Sequence, residues 1–340
     1  MPSYLNLCIA VKLNVGAYSR HDSLIIGDRK EANGRPAVAR IKGLYVSFLS
    51  LRSSRRQVLS ATATLALSLS LLDPSTLVAK DAERIVAIGG TVTEIIYALG
   101  EGDRVVAVDT TSLYPQEATS KPNIGYVRQI SAEGVLSQKP DLIIAESGAG
   151  PVDSINILKA SGLSFVSIPS PPETSAIPDK IRAVGAAIGR TDKAEELAKS
   201  VEMSLEAIKA KAQAASGPKK KVLFALSLAN GRVMAAGSQS SADAMIRLAG
   251  GENAVATISG YKPLTDEAVI AAAPDVVLVM SGGAQHLTAE KAFELPALAA
   301  TPAGRNKAFL TMDGLYLLGL GPRAADAARD LNALLYPEAQ

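Results

Sequence analysis

From residue 83 onward, short apolar runs alternate with longer segments of helical period. Behind Arg84, the run Ile85-Val86-Ala87-Ile88 has no polar interruption, which predicts a strand buried on both faces. Gly89-Gly90-Thr91 reads as a turn, with Thr91 or Thr93 capping a helix over Glu94–Leu99 and Gly100 closing it. Val105–Val108, Asp141–Ala145 and Ser164–Ile168 are predicted as further strands, with a polar loop over 109–124 and a helix over Val152–Ala160. The prolines at 169, 171 and 172 mark a break. From Ile177 to about Ala215 the chain reads as largely helical, with Leu197, Val201, Leu205 and Ile208 on one stripe. Glu195 with Lys199, and Glu206 with Lys209, are spaced for surface ion pairs.

After the basic turn 217–221 the pattern restarts. Strands are predicted at Val222–Leu226, Arg232–Ala236 and Asp275–Met280. A helix over Asp243–Leu248 is capped by Ser240 or Ser241 and ended by Gly250-Gly251, and a late helix lies near Arg323–Leu335. The two halves share an internal order. Gly125-Tyr126, Glu133 and Pro140-Asp141 in the first are matched by Gly260-Tyr261, Glu267 and Pro274-Asp275 in the second. Strands alternating with helices predict parallel sheets covered on both faces. The expected fold is α/β: two lobes, each with a mostly parallel sheet flanked by helices, joined by one long connecting helix, with a ligand cleft between them. The expected boundaries are 83–176 for the first lobe, 177–216 for the connection and 217–340 for the second lobe.

The segment Gly125–Gly134 concentrates the chemistry. Gly125 permits a tight backbone, Ser131 is placed to cap a helix that stops before Pro140, and Glu133 suits the positive end of that helix. Tyr126 and Arg128 therefore lie in a loop entering a helix, where binding groups are often displayed. The alternative for Tyr126 is simple packing at a lobe surface.

Composition narrows the functional classes. Residues 1–79 hold ten of the 35 Lys and Arg and four of the 33 Asp and Glu. The remainder has 25 basic and 29 acidic residues, a net of −4, which argues against a nucleic-acid partner. Tryptophan is absent and aromatics are 4%, so a base-stacking platform is not expected. The only cysteine is Cys8 and the only histidines are His21 and His286, so neither a disulfide framework nor a histidine-rich zinc site is expected. Gly89-Gly90 lacks the spacing of a dinucleotide fingerprint, and no Gly-x-Ser-x-Gly elbow occurs, so an exported enzyme is the weakest of the alternatives.

Residues 1–53 are basic and aperiodic, and read either as a disordered extension or as a start assigned too far upstream. Residues 54–82 carry Arg55-Arg56, then Val58-Leu59 and an uncharged run from Ala61 to Leu72. This resembles a twin-arginine signal peptide, which implies a periplasmic destination. No lipobox cysteine lies near the cleavage region, so a lipid anchor is not expected.

Several stretches carry a specific resemblance: Ile88–Glu94, Asp109-Thr110-Thr111-Ser112, Gly125–Gly134, Lys139–Leu142, Gly260–Leu264 and Leu315–Arg323. With these, residues 84–338 resemble the periplasmic substrate-binding proteins of iron-complex and vitamin B12 ABC transporters, and within them the haem binders. The resemblance implies a non-enzymatic monomer that carries haem (hemin) as transported ligand to an ABC permease and its ATPase. It implies that Tyr126 is the axial ligand to haem iron and that Arg128 supports its phenolate. It casts Tyr261 as a cleft-lining residue, and Glu133 and Glu267 as the acids that dock on the permease. Some relatives add a histidine from the second lobe, but His286 does not fall where such a ligand is expected. Ferric siderophores or corrinoids are the alternative cargoes on the same fold.

Overall fold

The computed structural model describes residues 82–214, 217–229, 231–281 and 287–337. The extension, the signal-like segment up to residue 81, Cys8, His21 and His286 lie outside the described residues.

The first lobe is built on β1 (Ile85–Ile88), α1 (Gly90–Ala98), β2 (Val105–Val108), β3 (Gly125–Tyr126), β4 (Gln129–Ile130), α2 (Ala132–Ser137), β5 (Leu142–Glu146), α3 (Val152–Ala160) and β6 (Ser164–Ile168). The order β2-β1-β5-β6 forms a four-stranded sheet in which every pairing is parallel. The unbroken apolarity of β1 follows from its place inside that sheet. Ile85 and Ala87 join one core, while Val86 and Ile88 join another on the opposite face with Ile130, Val135 and Leu158.

The connection is a helical hairpin, α4 (Ile177–Ala187) and α5 (Thr191–Ala214). Gly189, at φ 73°, makes the turn between them. The 24 residues of α5 give a rod of about 36 Å. Ala194, Ala198, Val201 and Leu205 form its buried stripe, and both expected ion pairs form, Lys199–Glu195 at 3.5 Å and Lys209–Glu206 at 3.3 Å. The helices touch most closely at Gly185, where an added Cβ would stand 2.1 Å from the Ala194 Cβ. Gly185→Ala is therefore expected to destabilise the protein by about 1–3 kcal/mol through overpacking, read as a lower urea midpoint at unchanged m-value.

The second lobe contains β7 (Lys221–Ala229), β8 (Arg232–Ala236), α6 (Ser241–Leu248), β9 (Glu252–Asn253), β10 (Tyr261–Pro263), α7 (Asp266–Ala272) and β11 (Val276–Ser281). It continues through α8 (Ala289–Phe293), α9 (Pro296–Ala299), α10 (Pro302–Asn306), β12 (Phe309–Asp313), α11 (Gly314–Leu318) and α12 (Ala324–Leu335). Its sheet runs β10-β8-β7-β11-β12, with β9 on the start of β7. The ladders of β7 with β9, β7 with β11 and β11 with β12 are parallel; those of β8 are antiparallel. The connection from β7 to β8 is too short for a crossover, so this pair is a hairpin.

One apolar core runs through both lobes. It joins Ile85 and Ile144 of the first sheet, Ile181 and Leu205 of the hairpin, and Phe224 and Leu278 of the second sheet. The two lobes are thus packed on a common helical spine.

One capping expectation is corrected. Helix α1 starts at Gly90 behind Gly89, with no side-chain cap, so Thr91 and Thr93 lie inside it. Their hydroxyls turn elsewhere: Thr91 Oγ1 donates to Gly319 O at 2.6 Å and Thr93 Oγ1 lies 2.7 Å from Ser112 Oγ. The expected caps at Ser131 and Ser240 form.

Candidate functional site

Tyr126 sits on the two-stranded ribbon of β3 and β4, opposite Gln129. Gly125, at φ 103°, enters the ribbon, and its N–H donates to Asn123 Oδ1 at 2.8 Å. Thr110 N donates to Gly125 O at 2.9 Å. On the other side Gly150 N donates to Val127 O at 2.9 Å and Ile130 N to Gly150 O at 2.7 Å. The ribbon is therefore clamped between two neighbouring loops, while the Tyr126 side chain stays 44% exposed. Tyr126 thus presents a partly exposed phenol from a backbone held on both sides, a loop position of the kind where binding groups are displayed.

The loop at 109–112 is held by one buried carboxylate. Asp109 accepts from Gly89 N (2.8 Å), Thr111 N (2.9 Å), Thr111 Oγ1 (2.6 Å) and Ser112 Oγ (3.0 Å). A Cβ on Gly90 would stand 2.3 Å from Thr111 O, so this loop closes over the start of α1 only because Gly90 has none. The motif Asp109-Thr110-Thr111-Ser112 is thus a structural brace for the surface that carries Tyr126.

Tyr261 holds the matching place in the sequence order of the second half, but lies on the edge strand of that lobe's main sheet and not on a separate ribbon. It pairs with Ala236 across β10 and β8, behind Gly260 at φ 70°, and is 41% exposed. Burial of the phenol pushes its pKa up, and the positive charge of Arg128 pulls it partly back. A cation of the first lobe and the tyrosine of the second are therefore within electrostatic reach of one another. At neutral pH Tyr261 carries its proton and can donate a hydrogen bond.

Glu133 and Glu267 are exposed in the first turns of α2 and α7, behind the caps Ser131 and Thr265. Glu267 is held below the usual carboxylate range by its own backbone N–H and by the Thr265 hydroxyl, so it is fully ionised at neutral pH.

The region where the lobes meet has a set of contacts that sequence reasoning did not assign. Arg323 Nε and Nη2 donate to Glu94 Oε1 and Oε2, each at 2.9 Å. The Arg323 guanidinium carbon lies 3.5 Å from the centre of the Tyr114 ring and 5.0 Å from that of Tyr316. A cavity of about 220 Å³ opens here, lined by Leu113 and Tyr114 from the first lobe and Asp313, Tyr316 and Arg323 from the second. Lys180 is buried nearby, donating to Gly319 O at 3.4 Å and Leu320 O at 3.3 Å, and pairing with Glu146 at 3.5 Å. One sequence signal was available: Glu94 is an acid inside the apolar helix Gly90–Ala98 and is only 4% exposed.

Burial lowers the Lys180 pKa, and Glu146 only partly opposes it. Below its lowered folded value Lys180 is charged in both states, and the fold bears the desolvation. That cost is relieved as pH rises from the lowered value toward 10.5. The stability of the wild type relative to Lys180→Met is therefore expected to increase with pH across that window. Urea midpoints of both proteins at several alkaline pH values check this, and parallel curves would mean the lysine is not desolvated.

Among the described residues no cluster of three or more His, Cys, Asp and Glu can hold a bare metal ion. What the fold presents is two lobes packed on a common helical spine, with a cavity where they meet, the architecture of a solute-binding protein. The chain belongs to the periplasmic binding protein family, whose model matches residues 85–315. The periplasmic heme-binding protein RhuT from Roseiflexus sp. RS-1 is 41% identical, with a TM-score of 0.72 over 76% of this chain and 100% of that one. The uncharacterized ABC transporter substrate-binding lipoprotein YvrC of Bacillus subtilis is 28% identical over 76% of this chain and 82% of its own length. A vitamin B12-binding protein of Yersinia pseudotuberculosis is 27% identical over 69% of this chain and 81% of its own length. The protein is thus a substrate-binding component of an ABC transporter and not an enzyme.

Proposed function

We propose that this protein captures haem in the cleft between its lobes and delivers it to an import permease. The observation that carries this reading is Tyr126, an exposed phenol on a backbone clamped from both sides. Ferric iron favours an anionic oxygen donor, and tyrosine is an established haem ligand. A free phenol ionises near about pH 10, so a cation beside it or the iron itself must stabilise the phenolate. Arg128 supplies such a charge on the same ribbon. Tyr261 closes over the opposite side of the cargo as a neutral phenol. The 41% identity to a heme-binding protein supports the same cargo.

In this reading residues 83–176 and 217–340 are the two lobes, and 177–216 connects them. Glu133 and Glu267 dock on basic residues of the permease, where paired charges set orientation and encounter rate. The protein is exported to the periplasm by the twin-arginine route, works as a monomer and binds no nucleic acid.

The test is a titration of the purified protein with hemin, beside cobalamin and a ferric siderophore, followed by absorption spectroscopy. Saturable binding of hemin with a high-spin phenolate-type spectrum is expected. Preference for cobalamin or the siderophore would keep the fold and overturn the cargo.

A further inference from the structure

The lobe junction carries more than packing requires. Arg323 comes from the second lobe and Glu94 from the first, and their bidentate contact joins chain positions 229 residues apart. Glu94 is 4% exposed, so this carboxylate has been taken out of water and depends on its partner. The guanidinium also lies over the Tyr114 ring, with the Tyr316 ring farther off. Tyr114 is itself 43% exposed and its neighbour Leu113 50%, and both line the inter-lobe cavity. The same loop is anchored through Asp109 and reaches the Tyr126 ribbon by the bond from Thr110 N to Gly125 O. Tyr114 and Tyr126 therefore belong to one braced surface, and Arg323 ties the Tyr114 end of that surface to the opposite lobe, beside the Thr91–Gly319 bond and the shared core.

We propose that Arg323 is a positioning residue: it fixes the Leu113–Tyr114 wall of the cleft against the second lobe, so that the lobe spacing, and with it the grip on cargo, is set before cargo arrives. The inference rests on the reading of this cleft as the cargo site. Its chemistry is specific to arginine. A planar fork can bind both oxygens of Glu94 while stacking on Tyr114, whereas a lysine ammonium, a point charge without that plane, cannot hold the two contacts in the same fixed geometry.

Two measurements test it on the full chain in a Cys8→Ser background. In the first, nitroxide labels at Asn156→Cys and Ile270→Cys, both exposed and on different lobes, report the distance distribution without cargo by pulsed electron resonance. Arg323→Lys is expected to broaden or shift the distribution. Tyr114→Leu, which keeps the ion pair but removes the stacked ring, should do so to a smaller degree. Met203→Ala, an exposed change on α5, should leave it unchanged. Should Arg323→Lys fail to fold, Tyr114→Leu decides alone. A distribution identical to the wild type in the folded variants overturns the proposal. The second measurement is hemin dissociation. Arg323→Lys is expected to release hemin about tenfold faster, an effect of about 1.4 kcal/mol, with the iron–phenolate spectrum unchanged. Unchanged release overturns the link to cargo. A wild type that ignores hemin would instead sink the haem assignment, and the label distances would still judge Arg323.

Discussion

Tyr126→Phe is expected to weaken hemin binding by at least about a hundredfold, roughly 3 kcal/mol, and to abolish the phenolate-type spectrum. The substitution keeps the ring and its packing and removes only the oxygen. The backbone carrying the ring should not respond, because its hydrogen bonds to Thr110 and Gly150 are made by main-chain groups alone. Stability by thermal unfolding should therefore stay within about 0.5 kcal/mol, since an exposed hydroxyl contributes little. Tyr261→Phe provides the contrast. Its phenol is neutral at physiological pH and burial moves its pKa further up, so losing the hydroxyl removes at most a neutral hydrogen bond, about 0.5–1.5 kcal/mol, and leaves the spectrum in place. Should the two variants behave the other way round, the iron ligand belongs to the second lobe and Arg128 serves Tyr261. The positive charge that Tyr261 feels from Arg128 makes that reversal a concrete alternative.

The parts of the fold that were legible in the sequence are those in which local chemistry and tertiary structure agree. Ile85–Ile88 reads as a buried strand because a strand central to a parallel sheet has no polar face to display. Ser131 and Ser240 announce helix starts because their hydroxyls are used by N–H groups three residues on. Tyr126 and Tyr261 are matched by an order that recurs in both halves, and that repeat also located Glu133 and Glu267. What escaped is long-range. Thr91 has the composition of a cap, yet its hydroxyl is taken by a carbonyl 228 residues away. Short Ala- and Pro-containing helices such as Pro296–Ala299 and Pro302–Asn306 are too brief to show a period. The antiparallel setting of β8 follows from its short link to β7, a matter of connection length that the apolar pattern alone does not reveal. Nothing near Glu94 in the chain indicates that its partner is Arg323.

That pairing yields the largest stability effect expected. Arg323→Met leaves the Glu94 carboxylate buried and uncompensated, and a loss of about 3–5 kcal/mol is expected. For a domain pair of this size that is on the order of a 10 °C fall in melting temperature. The Arg323 side chain retains 25% exposure, so the lower end of the range is the better guide. Glu94→Leu alone should cost less, because the arginine it abandons can still reach water and the Tyr114 ring. The double variant Glu94→Leu with Arg323→Met should recover much of the loss, since a buried ion pair often contributes little beyond what well-packed apolar groups provide. A double-mutant cycle by chemical denaturation separates these contributions, and a coupling below about 0.5 kcal/mol would reduce the pair to an ordinary surface contact. A recovered stability with a still-altered lobe spacing would have a different meaning. It would show that arginine is kept at position 323 for the geometry it imposes on the cleft, at little benefit to the folded state as a whole.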